Sequence, residues 1–374
     1  SKMELGAGDI VRLTFVSEGD DAVYRIDRIE QSELQIVEAV RIEPAVYTPS
    51  EIADDTPGTK AFVPPLPVFS LFMDLPLISG DEVPHAPHLA VSAIPWPGSV
   101  AMYASLSDEN YTLSQVISKR SVIGITETPL FAASTGVWDQ GAALQVKILS
   151  GALESRDANA ILNGANLAVI GDGSSGNWEL FQFQSAELLK EDCYLLSTRL
   201  RGQLGSDGLM PDAWPAGSYF VLLNGAPGQI ELSSAQKRIA RHFRIGPAQR
   251  GYDDPSYTHL VEAFDGNGLR PYPPCHLSVS LENGADINVN WIRRTRIEGD
   301  SWELPDVPLG EDSESYLIRV RNGATVLREA MVTSPHWTYS VSMQAEDNVT
   351  FPARIEVAQM SARYGPGLFA SIGV

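Results

Sequence analysis

Apolar and polar residues alternate with a period of two along much of the chain, and runs with helical spacing are scarce. That spacing predicts many short strands, each burying one face. Residues 1–47 predict three or four of them: Asp9 to Val16, Val23 to Ile26 after an acidic turn at Glu18-Gly19-Asp20-Asp21, and Leu34 to Ile42. So few strands leave sheet edges and one face uncovered. This stretch is therefore expected to be the end of a domain that begins upstream or in a partner. Five prolines in residues 48–67 predict an extended, stiff connector. Residues 68–270 are the least legible part. Strand-like runs such as Val100 to Ala104, Leu144 to Leu149 and Tyr219 to Leu223 predict a single central β-rich domain. Ser185 to Asp192 reads as a short helix, with Ser185 as its cap and Glu187 in its first turn.

The alternation is clearest in residues 271–374. Leu277, Val279 and Leu281 form one series, and Asn283-Gly284 is a hairpin signal before Ile287, Val289 and Trp291. Tyr316, Ile318 and Val320 lead to a second Asn-Gly at 322–323. Trp337, Tyr339, Val341 and Met343 follow, then Ile355 and Val357, and finally Leu368 to Val374. About seven strands in roughly 100 residues predict a β-sandwich. Prolines at the entry and a tryptophan on the second strand resemble a fibronectin type III domain. Trp291 should face the core with Ile287 and Val289, because residues two apart on a strand point the same way. Trp302 should lie in the long loop that follows.

Composition narrows the function classes. The formal net charge is −20, which argues against a basic nucleic-acid face. Two cysteines, Cys193 and Cys275, allow at most one disulfide and exclude a cysteine-rich metal site. No apolar run approaches the ~20 residues of a membrane helix, and the first residues carry no signal-peptide hydrophobic region.

Candidate chemistry is sparse. His85 and His88 stand near Asp81 and Glu82, but Pro87 breaks the helical spacing of a zinc motif. Gly171 to Gly176 lacks a P-loop lysine, and Asp265 to Gly268 lacks the ligand series of a Ca²⁺ loop, so both read as turns. No Gly-x-Ser-x-Gly is present, and His242, His259, His276 and His336 have no recognisable serine partner. Carboxylate pairs for glycoside hydrolysis remain open, because separations are not set by sequence. No catalytic residue, metal ligand or cofactor is expected. Arg293, Arg294 and Arg296, with Trp302, are candidate contacts for a partner or a glycan. The alternative is an internal network with Glu298, Asp300, Glu311 and Asp312. Trp96, Trp138, Trp178 and Trp214 are candidates for a sugar-binding face, though core packing is the commoner fate of tryptophan.

Several strings carry a family resemblance. They are Trp291-Ile292-Arg293-Arg294-Thr295-Arg296, Gly299-Asp300-Ser301-Trp302-Glu303 and Val307-Pro308-Leu309-Gly310-Glu311. Leu269-Arg270-Pro271-Tyr272, Leu162-Asn163-Gly164-Ala165-Asn166, Leu200-Arg201-Gly202-Gln203 and Pro95-Trp96-Pro97-Gly98 belong with them. Together they resemble the C-terminal part of the large, host-specificity type baseplate protein of alphaproteobacterial gene transfer agents and related long-tailed phages. The resemblance implies a mainly β protein: the end of a tail-hub domain, a central β-rich domain and a fibronectin-like sandwich. It also implies a non-enzymatic virion structural protein at a tail tip, oligomeric in the particle and assembled in the bacterial cytoplasm before release. Its partners would be other tail and baseplate proteins and the bacterial envelope during attachment and DNA delivery, with no direct nucleic-acid binding. Two other readings stay open: a carbohydrate-binding module for host surface polysaccharide, and a glycan hydrolase.

Overall fold

The computed structural model describes residues 4–14, 22–32, 34–43, 66–282, 285–299 and 306–374. The acidic turn at 18–21, nearly all of the proline-rich connector, the Asn283-Gly284 turn and Trp302 lie outside them. The chain divides into two units, Ser1–Pro64 and Pro65–Val374. The first is a three-stranded antiparallel sheet of Ile10–Leu13, Ala22–Gln31 and Gln35–Ile42. Among its described residues, Ala22 and Ile26 are the buried apolar side chains, whereas Ile10, Leu34, Ile36 and Val40 are exposed.

The second unit holds three β-assemblies. Residues 68–270, read above as one domain, contain three hydrophobic cores. The first core lies between two sheets. One comprises Phe69–Met73, His88–Ser92 and Gly228–Gln229; the other comprises Val100–Ser105, Thr112–Ile117, Arg241–Pro247 and Thr258–Glu262. Phe72, Val91, Met102, Phe243 and Phe264 fill the space between them. Residues from both sides of the 121–223 stretch build this assembly, so that stretch is an insertion.

The insertion is a closed antiparallel barrel. Its six strands are Ile123–Thr126, Leu144–Ile148, Leu167–Gly171, Trp178–Lys190, Cys193–Gln203 and Tyr219–Leu222. Closure removes the edges that an open sheet would expose. Val146, Ile170, Phe181, Phe183, Leu196 and Phe220 fill the interior. Alternate residues point outward and are buried too. Ile123, Val169, Leu180 and Val221 pack with Leu71 and Ala90 of the neighbouring sheet.

Ser185 to Asp192 is not a helix. Residues 178–190 form one long strand that pairs with 193–203, and Asp192 turns the chain at φ 58°. Ala, Glu, Leu and Lys favour helix there, but the cross-strand partners outweigh that weak local preference.

Residues 275–373 form the expected sandwich. One sheet runs Cys275–Glu282, Asp286–Ile292, His336–Tyr339; the other runs Thr325–Val332, Tyr316–Asn322, Arg354–Ser361, Ala370–Gly373. In chain order the sheets are 1-2-5 and 4-3-6-7, the fibronectin type III arrangement. Ile287, Val289 and Trp291 are buried on one face, and the Trp291 ring meets Tyr316 edge-on at 5.1 Å. Val341 and Met343 are not a strand: Ser340 caps a short helix, Val341–Glu346. Leu281 is exposed, at 72%.

A candidate partner-binding cleft

The central assemblies and the sandwich meet along a cleft of about 970 Å³. Its walls are the 77–84 loop, Leu204, Leu269, Tyr272, two parts of the 293–315 loop (residues 295–299 and 310–312) and Arg363. The connection between the assemblies is itself packed. The buried Asp74 carboxylate accepts backbone N–H bonds from Gly266 and Asn267, each at 2.8 Å, and Tyr364 Oη donates to Asn267 Oδ1 at 2.7 Å. Burial pushes the Asp74 carboxyl up to about 6, against the pull of those backbone N–H groups. Gly205 has φ +75°, and a Cβ there would lie 2.2 Å from the Tyr272 ring, so only glycine lets this wall close.

The lining is acidic. Asp81, Glu82, Glu298, Glu311 and Asp312 face it, against Arg296 and Arg363. Burial alone would raise the Glu82 carboxyl. Hydrogen bonds from the Ser79 N–H and hydroxyl and the Gly80 N–H, each 2.9 Å, outweigh this and hold it below the usual range. Such a surface favours cationic or polyhydroxyl groups and disfavours anions.

The three arginines marked in the sequence each engage this chain. Arg293 donates to Pro308 O (2.9 Å), Val307 O (2.9 Å) and Asp306 Oδ2 (3.1 Å). Arg296 pairs with Glu311 at 3.0 Å, both side chains under a tenth exposed, and also donates to the Gly268 and Gly310 carbonyls. Arg294 reaches out of the loop. It bonds both Asp207 oxygens at 2.9 Å and lies 5.4 Å over the Tyr272 ring. Of the loop carboxylates named for an internal network, Glu311 takes part; Asp306 and Asp207 were not foreseen. Trp302 lies outside the described residues.

The remaining candidates do not converge. His85 Nε2 is 3.0 Å from Leu232 O, and burial pushes the His88 imidazole down. Asp172 accepts from Ser174 and Asn177, as a turn does. Cys193 and Cys275 are free thiols. Trp178 and Trp214 are buried in different cores, Trp96 packs on a third, and Trp138 lies on a short strand paired with Cys193–Gln203. They share no sugar-binding face.

Two of the strings that carried the resemblance, 162–166 and 200–203, supply folding contacts. Arg201 is fully buried and forks onto Glu179, Nε to Oε1 at 2.7 Å and Nη2 to Oε2 at 2.8 Å. Gly202 N–H (3.2 Å) and Trp214 Nε1–H (2.6 Å) complete the shell around Glu179. Arg199 clamps Asp139 beside it at 2.8 Å. Asn166 donates to the Glu154 and Phe183 carbonyls, closing the turn after the helix Ala158–Leu162.

Residues 121–221 match a protein-family model described as Rcc01698-like, C-terminal. The match is consistent with a protein family associated with gene transfer agents and phages. No curated protein matches the chain. Among solved structures, the fibronectin domains FN1–FN3 of chicken CNTN1 are 11% identical over 83% of this chain and 98% of theirs, with a TM-score of 0.19. The sandwich assignment rests on strand order instead.

Proposed function

We propose that this chain is a structural component of a phage-like tail tip, or baseplate, that contacts the bacterial envelope during attachment and DNA delivery. One observation carries the reading: the family match at 121–221 coincides with the closed barrel at 123–222. The matched family is consistent with an association with gene transfer agents and phages, which supports a place for this module in such a particle. The sandwich and the packed linker extend that architecture. In this reading the chain is non-catalytic and joins other tail proteins in an oligomeric particle, assembled in the bacterial cytoplasm and then released. An in-frame deletion of the coding segment should yield particles that no longer adsorb to cells. Normal adsorption and delivery by the deletion particles would remove the basis for this reading.

The polar cleft favours a second reading, a module that recognises host surface polysaccharide. Its acidic lining suits neutral or amine-bearing sugars. A glycan array that shows binding abolished by Asp81→Lys and Asp312→Lys would make recognition the chief role.

A further inference from the structure

Three side chains that share no sequence motif meet on the outer face of the first assembly: Asp108, His242 and His259. His242 lies on strand Arg241–Pro247 and His259 on Thr258–Glu262, which pair antiparallel with His242 opposite Val261 and Arg244 opposite His259. Phe243 and Ile245 of the first strand point into the core, so His242 and Arg244 point out, and His259 joins them. Asp108 comes from the loop after Val100–Ser105, the strand on the other flank.

The separations are those of a ligand set. His242 Nδ1 lies 3.0 Å from His259 Nε2, and that nitrogen is 3.8 Å from Asp108 Oδ1. Two imidazole lone pairs do not face each other at 3.0 Å without a cation or a proton between them. Donor atoms ~2.1 Å from a tetrahedral ion stand about 3.4 Å apart, between the two separations seen here. Without metal, an N–H of one ring bridges to the other. Binding moves that proton to the ring's remaining nitrogen and turns both rings toward the ion. The carboxylate is already oriented: Tyr111 Oη donates to Asp108 Oδ1 at 2.6 Å and Arg244 Nη2 at 2.9 Å. Hydrogen-bonded support of this kind is what metal-ligating carboxylates carry.

We propose that Asp108, His242 and His259 form a site for a divalent transition-metal ion, with solvent completing its coordination. Two imidazoles and one carboxylate suit Zn²⁺, Ni²⁺ or Cu²⁺, and the nitrogen donors disfavour Ca²⁺ and Mg²⁺. The ion would pin the Asp108 loop across two strands of the sheet.

The test is calorimetric titration of ZnCl₂ into the whole tag-free chain. The wild type should bind one equivalent. His242→Gln and His259→Gln should each weaken it at least tenfold, whereas His85→Gln should leave it unchanged. Equal urea midpoints for the variants would confirm that the surface changes leave the fold intact. Absence of Zn²⁺ binding in the wild type, or binding that survives His242→Gln together with His259→Gln, would overturn the site.

Discussion

The barrel and the sandwich are both antiparallel β-modules of similar length, yet they are built on opposite patterns. Sandwich strands bury one face: Tyr316, Ile318 and Val320 are buried, while Leu317, Arg319 and Arg321 between them are partly exposed. Barrel strands Leu167–Gly171 and Tyr219–Leu222 bury both, one against the interior and one against the neighbouring sheet. The sandwich is held by apolar contact around Trp291. The barrel adds a buried ionic lock, Arg199 and Arg201 on Asp139 and Glu179. Strands covered on both faces have no polar side to reveal their period, whereas Leu144–Ile148, with one open face, still alternates.

Breaking the lock should have the largest effect. Arg201→Ala leaves Glu179 buried and unpaired, at a cost of about 5 kcal/mol. Replacing both partners, Arg201→Met with Glu179→Met, should recover much of that loss, because it removes the uncompensated charge. Urea denaturation of the whole chain checks both, and additive losses would show that the pair is not coupled.

Trp291→Ala should cost about 3–4 kcal/mol, the scale for emptying a large aromatic site. A change below ~1 kcal/mol would mean that Trp291 does not anchor the sandwich core.

Asp74 sharpens the comparison at the junction between the modules. Its folded-state carboxyl sits at about 6, above the ordinary 3.8. A raised carboxyl stabilises the fold fully below the ordinary value, and that contribution is lost as pH rises through about 6. Relative to Asp74→Asn, the wild type should therefore gain on the order of 2–3 kcal/mol between pH 7 and pH 4. A difference in urea midpoints that does not change with pH would contradict the assignment.

Arg294→Ala should matter least. Its pair with Asp207 is about a quarter exposed on each side, so the loss should stay within ~1 kcal/mol. A larger loss would mark this contact as the main tie between barrel and sandwich.

This contrast explains what the sequence made legible. Strand alternation placed Trp291 with Ile287 and Val289, and the mainly β fold with a fibronectin-like sandwich followed from it. Runs such as Leu167-Ala168-Val169-Ile170 have no period when both faces are buried, so the barrel did not emerge. The Ser185–Asp192 stretch misled because its composition favours helix while its partners lie across a hairpin. Nearby pairs such as Arg296 and Glu311 were within reach of spacing. Arg294 with Asp207, and Asp108 with His242 and His259, join distant segments, and only the folded chain brings them together.

The most direct measurement of the central claim is immunogold labelling of purified particles from the encoding strain, with antibody raised against residues 271–374. The account predicts gold at the distal end of the tail and none at the head. Antigen found only in the soluble fraction, or gold on the head, would contradict it.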